Sequence, residues 1–424
     1  MNAFEPNKSE NQNDKDKPAK KTGEKVLIGL SGSAHSCVAA GLLKTQGYDV
    51  SGAYLHMADK PKAGTLGFES RCSSRFELEA VKAFCQKIEI PLVEIDARGA
   101  FSERIVDYCV HELLQQRRPS PCIRCNSDIK FEFLIKKADE LKIEKIATGH
   151  FAQVILDMST GMARLQKALS PERDQSFTLF NIKPAILKRT LMPLGGIPGR
   201  MVDRLLIEYG FKPLKQFHSS KGYCFTDNKT YPKYVDERVA MQLRPKGIIV
   251  TTDNQIVGSH DGFHYYYLGQ KDNLVLTMKE KKELYVIQFN HQKISVVVGA
   301  KEYLYKKYLF ATETNWVRKV NALQSFRCAG RITPNGKEAS CRVIQFENQS
   351  ILVEFDQPQW APNPGQAIVF YEADEVLGGG FIETVYEKDP TTVLTAKIGP
   401  SAALAGKKPG SAAQGDQKGQ KPTK

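Results

Sequence analysis

The chain has no apolar run near the roughly 20 residues that a helix needs to cross a bilayer. Its first 24 residues are polar and charge-mixed, not signal-like. The nine cysteines, an odd number scattered over 424 residues, do not read as a secreted disulfide framework. Cys122 and Cys125 form the sole CxxC pair, so a zinc ribbon with four cysteine ligands cannot be completed. The expectation is a cytoplasmic protein with reduced thiols and no membrane segment.

What is present is enough for substantial cores: 41% hydrophobic residues over this length suggest two or three domains. The formal net charge is +13. Seven lysines against two aspartates from Lys388 onward give that tail +5, residues 1–25 give +1, and the remaining +7 belongs to the body. Such an excess favours a polyanionic partner through phosphate contacts, although solubility alone would also account for it.

The first half alternates strand-like and helix-like segments. Apolar Val26–Gly29 precedes a helix over 37–46, and strands over 48–55, 91–97 and 145–148 alternate with helices over 75–87, 102–116 and 131–141. A helix over 200–209 follows. This βαβα rhythm predicts a parallel sheet covered by helices, with ligands at the carboxyl ends of the strands. Residues 58–74, with Pro61, Gly64 and Gly67, read as a surface loop or lid. From about Gly247 short β-rich runs follow one another, which predicts a small antiparallel barrel or sandwich. Beyond Asp389 the Gly, Ala, Lys, Pro, Ser and Gln composition cannot bury enough surface to fold.

Two features carry chemistry. After the first strand the chain reads Gly29-Leu30-Ser31-Gly32-Ser33-Ala34-His35-Ser36 and enters a helix. A small-residue loop at a helix N-terminus can hold a phosphate through backbone N–H groups and the helix dipole, though turns of this composition are common. The second is Pro121-Cys122-Ile123-Arg124-Cys125-Asn126, after Arg117-Arg118-Pro119. Basic neighbours and a helix N-terminus both favour thiolate, which is nucleophile and metal ligand alike. Two partly buried, unreactive cysteines remain the bland reading. Cys224, between Tyr223 and Phe225, reads equally well as a packed core side chain, and Cys37, Cys85 and Cys109 as core. Cys328 and Cys341 lie in the β-rich part, where they could face each other.

The loop resembles the PP-loop of enzymes that cleave ATP to AMP and pyrophosphate, with Ser33 in place of its second glycine and His35 in place of its aspartate. Further segments follow in order: Cys125-Asn126-Ser127-Asp128-Ile129-Lys130-Phe131, Ala147-Thr148-Gly149-His150-Phe151, Arg173-Asp174-Gln175-Ser176-Phe177, Lys221-Gly222-Tyr223-Cys224-Phe225, Tyr267-Leu268-Gly269-Gln270, Pro364-Gly365-Gln366 and Leu377-Gly378-Gly379-Gly380. With them the chain resembles, from about Lys25 to Glu383, the tRNA-specific 2-thiouridylase family of the MnmA type.

The resemblance implies an α/β PP-loop (HUP, Rossmann-like) domain over 25–215, a small central tRNA-contacting domain over 216–282 and a C-terminal antiparallel β-barrel over 283–387, between tails 1–24 and 388–424. It implies that ATP, with Mg²⁺, adenylylates the O2 of a wobble uridine and that sulfur then attacks C2. By position, Cys125 is the nucleophile, Cys224 carries the persulfide and Cys122 is an auxiliary thiol. Gly29 to Ser36, Leu55 and Gly149 match the ATP-binding positions; Ser120, Pro121, Cys122, His150, Arg173, Asp174, Gln175 and Gln366 match positions around tRNA. Without the resemblance, these polar residues read as caps and turns. The implied partners are tRNA through its anticodon loop, a persulfide-donor protein and a reductant for a Cys125–Cys224 disulfide, with the chain a monomer.

Two alternatives stay open. Cys122, Cys125 and Cys224 could together hold a [4Fe-4S] cluster. The chain could also be a tRNA-binding or sulfur-relay paralogue that has lost adenylylation, because a Cβ at position 33 narrows a tight turn and an imidazole at 35 suits Mg²⁺ less well than a carboxylate.

Overall fold

The computed structural model describes residues 23–58, 75–210, 224–225, 231–277, 283–318, 325–346 and 348–398. Residues 1–22 and 399–424 of the expected tails, the 59–74 part of the expected lid and most of the Lys221–Phe225 motif lie outside them.

The first strand, β1 (Lys25–Gly29), has Val26, Leu27 and Ile28 fully buried. Leu27 packs into a cluster on one face of the sheet and Val26 and Ile28 into a second on the other, as the two-residue period of a strand covered on both sides requires. Helix α1 (Ala34–Thr45) leads to β2 (Asp49–His56), and α2 (Arg75–Lys87) to β3 (Leu92–Asp96). A continuous helix α3 (98–114) and a second, α4 (121–140), precede β4 (Lys145–Thr148). Each contains a π-helical stretch, Ser102–Asp107 and Cys125–Phe131. The hairpin β5 (Ala152–Leu156) and β6 (Ala163–Lys167), the short α5 (Pro184–Leu187), β7 (Thr190–Leu191) and α6 (Gly199–Glu208) complete this half.

The sheet order is β3-β2-β1-β4-β7, with β1 parallel to both β2 and β4. The chain leaves β1 toward one edge and later returns to its other side at β4. That reversal opens a crevice between the loops after β1 and β4, where open α/β sheets bind ligands.

Helix α7 (Tyr231–Arg238) precedes a four-stranded sheet ordered β10-β11-β8-β9, with β8 (Gly247–Thr251), β9 (Ile256–His260), β10 (Tyr285–Asn290) and β11 (Ser295–Gly299). β8 and β11 are parallel neighbours. The boundary expected at 282/283 therefore falls inside this sheet, and the central unit runs to Gly299. Its core is Ile249, Val257, Phe263, Val286, Val296 and Val298.

The last unit is a closed antiparallel barrel: β12 (Tyr305–Trp316), β13 (Phe326–Arg331), β14 (Ala339–Gln345), β15 (Ile351–Trp360), β16 (Ala367–Glu372) and β17 (Glu375–Tyr386), closed by β12 against β17. A terminal helix, α8 (Thr391–Ile398), follows, and its Leu394 is buried against Phe310 and Ile344 of the barrel, so the stretch expected to be an unfolded tail from 388 is structured as far as Ile398. Hairpin β5–β6, whose strands the local pattern leaves unassigned, joins the barrel sheet through Glu375 opposite Gln166 and Val376 opposite Leu165. Cys328 and Cys341 do face each other, across β13 and β14, with sulfurs 3.8 Å apart. Among the described residues no helix is long and apolar enough to cross a membrane.

Candidate nucleotide site and the adjoining thiols

The loop after β1 is closed on itself by Ser36. The Ser31 amide donates to Ser36 Oγ at 3.2 Å, and Ser36 Oγ donates to the Ser33 carbonyl at 2.8 Å. The one left-handed residue of the turn is Gly32, at φ +79°. Ser33 sits at φ −73°, ψ 143°, as the N-cap of α1, a conformation open to any L-residue. The narrowing expected from a Cβ at 33 is therefore absent, because the strained position is 32. The Ser31 hydroxyl donates to the Ser33 hydroxyl at 3.0 Å, and both residues are exposed. Behind them the N-terminus of α1 brings unsatisfied amides and a partial positive charge.

From the other side of the crevice, Gly149 abuts the loop: a Cβ there would lie 2.8 Å from Ser36 Cα and 2.9 Å from Ser36 N. Only a residue without a side chain lets the two loops come this close. Between them lies a cavity of about 250 Å³ lined by Gly29, Leu30, Ser31, Ser33, His35, Ser36, Leu55 and Gly149 among the expected residues. Gly32 and Ala34 belong to the loop without lining the cavity. Met57, Lys130, Thr148 and Phe151, unforeseen from sequence, also line it. Lys130 belongs to the Cys125–Phe131 motif, and Met57 is two residues beyond Leu55 on a strand, hence on the same face.

His35 is nearly buried, its ring edge-on to Phe151 with centroids 5.1 Å apart. Burial, reinforced by the nearby Arg173 charge, depresses its pKa to about 4, so it is a neutral imidazole near pH 7. His150 stacks on Phe131 and bonds Thr148 Oγ1 at 3.0 Å; burial and then the Lys130 charge depress it to about 3. Among the described residues no carboxylate lines the cavity. Mg²⁺ would therefore be held here by serine hydroxyls, water and the substrate's own oxygens.

Pro121 opens α4 at the first helical position, where its missing N–H costs nothing. Cys122 follows in the first turn, half-buried, and the buried Cys125 starts the π-helical stretch. Cys125 and Cys109 belong to one apolar cluster, and Cys224 packs against that same cluster, beside fully buried Phe225. Residues 99 positions apart in the chain thus meet one core. The expected basic neighbours are engaged elsewhere: Arg117 pairs with Glu112 and Glu383, and Arg124 with Glu313 while lying over Phe381. They tie the thiol segment to the barrel.

Among the described residues no group of three or more His, Cys, Asp or Glu side chains is arranged to hold a metal ion.

The residues expected around tRNA fall in three places. Ser120 meets the barrel turn before Gln366: its hydroxyl donates to the Gly365 carbonyl at 3.3 Å and accepts from the Ala367 amide at 3.2 Å. Pro121 and Cys122 follow directly. His150 and Gln175 line the nucleotide cavity, Gln175 Oε1 accepting from the Phe151 amide. Arg173 and Asp174 are engaged within the protein, Arg173 with Asp203 at 2.8 Å and Asp174 with the Ala168 and Ser176 amides, the Ser176 hydroxyl and Arg331.

Three family models match consecutive stretches: the tRNA methyl transferase HUP domain over residues 24–228, the tRNA methyl transferase PRC-barrel domain over 233–300 and the aminomethyltransferase beta-barrel domain over 306–382. The chain is 34% identical over 363 residues to the tRNA-specific 2-thiouridylase MnmA of Symbiobacterium thermophilum, covering 85% of this chain and 92% of that one. It is 33% identical to the protein of the same name from Clostridioides difficile, covering 85% and 98%. This chain belongs to the tRNA-specific 2-thiouridylase family. The MnmA of Acetivibrio thermocellus adds a third relative, 32% identical over 85% of this chain and 99% of its own. In this family member the matches run through all three units, and the PRC-barrel match ending at 300 agrees with a central sheet that closes at Gly299.

Proposed function

We propose that the chain is a tRNA 2-thiouridylase that activates the O2 of a wobble uridine with ATP and replaces it by sulfur. The observation that carries this reading is the nucleotide-sized crevice built from the Ser31–Ser36 loop and Gly149, beside a helix whose Cys125 shares a core with Cys224.

A carbonyl oxygen is a poor leaving group until its developing charge is taken up by phosphate. The loop's serine hydroxyls and the α1 N-terminus would hold the phosphates, Leu55 and Met57 the apolar face of adenine. In the transfer, the terminal sulfur of a Cys224 persulfide bonds C2 as AMP departs. Cys125 then attacks the Cys224 sulfur, breaking the S–S bond, so the terminal sulfur stays on the base and a Cys125–Cys224 disulfide forms. An external reductant supplies two electrons and two protons to restore both thiols. The persulfide comes from a donor protein. The uridine must be splayed out of its anticodon loop to reach the thiols, and single-stranded loops open most readily. A cytoplasmic location, a single copy of the chain and tRNA contacts at Ser120, Pro121, Cys122, His150 and Gln366 complete the reading.

The relay-paralogue alternative loses one of its supports, since Ser33 occupies an unstrained conformation. Incubation with unmodified tRNA, ATP, Mg²⁺ and a persulfide source, followed by nucleoside mass spectrometry, separates the two. 2-Thiouridine from the unaltered chain is expected. Product formed only by the Ser33→Gly, His35→Asp variant would favour the paralogue.

A further inference from the structure

Two thiols outside the nucleotide site stand as a registered pair. Cys328 on β13 lies directly opposite Cys341 on β14, between Arg327 opposite Arg342 and Ala329 opposite Ser340. Opposed residues of an antiparallel pair hold their Cα atoms about 4.5–5.5 Å apart, with both side chains on one face. A disulfide needs Cα atoms roughly 4.4–6.8 Å apart, so this backbone already meets the requirement. The sulfurs are 3.8 Å apart. Closing them to a bond of about 2.05 Å asks for side-chain rotation rather than displacement of either strand.

The two sulfurs differ in access. Cys341 is fully buried in the barrel core with Val343, Val353 and Phe355, whereas Cys328 packs against that core and is half-buried. The hydrogen bond with Cys328, and then burial, push the Cys341 pKa up, so this sulfur stays a thiol. An oxidant arriving from solvent therefore meets Cys328 first, with Cys341 waiting behind it. Gly330 stands two residues beyond Cys328, on the same face of β13. A Cβ there would lie 3.1 Å from the Cys341 sulfur, so its absence keeps the space beside that sulfur open.

We propose that Cys328 and Cys341 form a reversible disulfide, a redox modification site in the barrel separate from the thiols at 122, 125 and 224. The oxidant it takes is a small-molecule disulfide. The Cys328 thiolate bonds one sulfur of that disulfide, whose S–S bond breaks and releases one thiolate. The Cys341 thiol then gives its proton to the departing thiolate, and its sulfur attacks Cys328 Sγ, breaking the mixed S–S bond and releasing the second thiol. In sum two cysteine thiols lose two electrons and two protons, and one small disulfide becomes two thiols. The new bond would staple β13 to β14, the hairpin whose Arg331 reaches Asp174 of the first unit. The inference stands without the nucleotide reading, because it uses no residue of that site.

The competing role is that of two small apolar core residues with no redox chemistry. Full-length protein equilibrated with glutathione buffers of rising oxidised fraction, acid-quenched, alkylated, cut with trypsin and mapped by mass spectrometry tells them apart. Cleavage after Arg327, Arg331, Lys337 and Arg342 puts the two cysteines on separate short peptides, 328–331 and 338–342. The expected result is a 328–341 cross-link within one chain, removed by dithiothreitol and formed also in the Cys125→Ser, Cys224→Ser double variant. Half-conversion should need a buffer at least about tenfold less oxidising for folded protein than in concentrated urea, because the fold raises the effective concentration of one thiol at the other. Cys341→Ser should hold glutathione on Cys328, trapping the first step, and the wild-type map decides if that variant does not fold. Three results would overturn the proposal: both cysteines alkylated across the whole series, glutathione stopping at Cys328 in the wild type, or a cross-link that forms as readily in urea as in the folded chain.

Discussion

Gly149 faces the Ser36 backbone so closely that the missing Cβ is part of the site: the atoms it would meet, at 2.8 and 2.9 Å, are main-chain atoms that no rotamer change can move. Gly149→Ala must push the two walls of the crevice apart. Overpacking of this kind costs about 1–3 kcal/mol. We expect a lowered melting temperature and at least about a tenfold loss of ATP affinity, measurable by calorimetry.

The thiols predict a different pattern. Cys125→Ser and Cys224→Ser should each abolish 2-thiouridine formation while leaving tRNA retention on filters close to wild type. Serine keeps the volume but is a far weaker nucleophile and cannot carry a persulfide. A Cys125→Ser chain that still thiolated tRNA would remove the nucleophile from the mechanism.

His35 sets an acid limit. Its folded pKa is about 4 against an ordinary 6.5, so on acidification the unfolded chain takes up a proton first. Its contribution is intact above pH 6.5 and is lost as the pH falls toward 4, up to about 3 kcal/mol. His150, depressed to about 3, adds a loss of the same sign. Urea titrations at several pH values should show wild-type stability falling over this window, and His35→Gln should flatten the slope by about one proton. Ser33→Gly should relieve no backbone strain, because Ser33 is already at a negative φ, so a loss of ATP affinity in that variant would report the missing hydroxyl.

Asp174 links the first unit to the barrel. Its side chain is 6% exposed and accepts from Ala168, Ser176 and Arg331, whose guanidinium in turn lies 4.6 Å over the Tyr371 ring. Removing the carboxylate leaves the Ala168 and Ser176 amides and the Ser176 hydroxyl without their acceptor, each buried donor costing about 1–3 kcal/mol, while Arg331 keeps its pair with Glu338. Asp174→Ala should therefore lower chemical stability by several kcal/mol, and Arg331→Met should cost less in the Asp174→Ala background than in wild type. Additive losses in the double variant would contradict the coupling.

Local pattern carried much of the architecture. The strand Lys145–Thr148 and the helix Arg75–Lys87 coincide with the expected elements, since each is bounded by turn residues and has a clean period. The loop after β1 was visible because a small-residue turn between a strand and a helix marks a phosphate-type site, whereas Leu55 was visible only through the family resemblance. β17 was not visible as a strand: Gly378-Gly379-Gly380 reads as a break, yet a Cβ at 379 would lie 2.4 Å from the Ile368 carbonyl, so the barrel demands glycine there. The hairpin β5–β6 and the 299/305 boundary depend on which strands pair, and pairing between distant segments leaves no mark in a local window.

By itself the sequence determined the parallel-sheet first unit, the phosphate-type loop and the presence of thiols at 122, 125 and 224, because these follow from short-range periodicity, turn chemistry and residue type. Tertiary structure alone decided that Gly32 rather than position 33 bears the turn's strain, that Lys130 lines the cavity, and that Cys224 packs on the core of Cys125. The reason is that backbone conformation in a turn and contacts between distant elements are settled by packing over the whole chain, which a local window does not record.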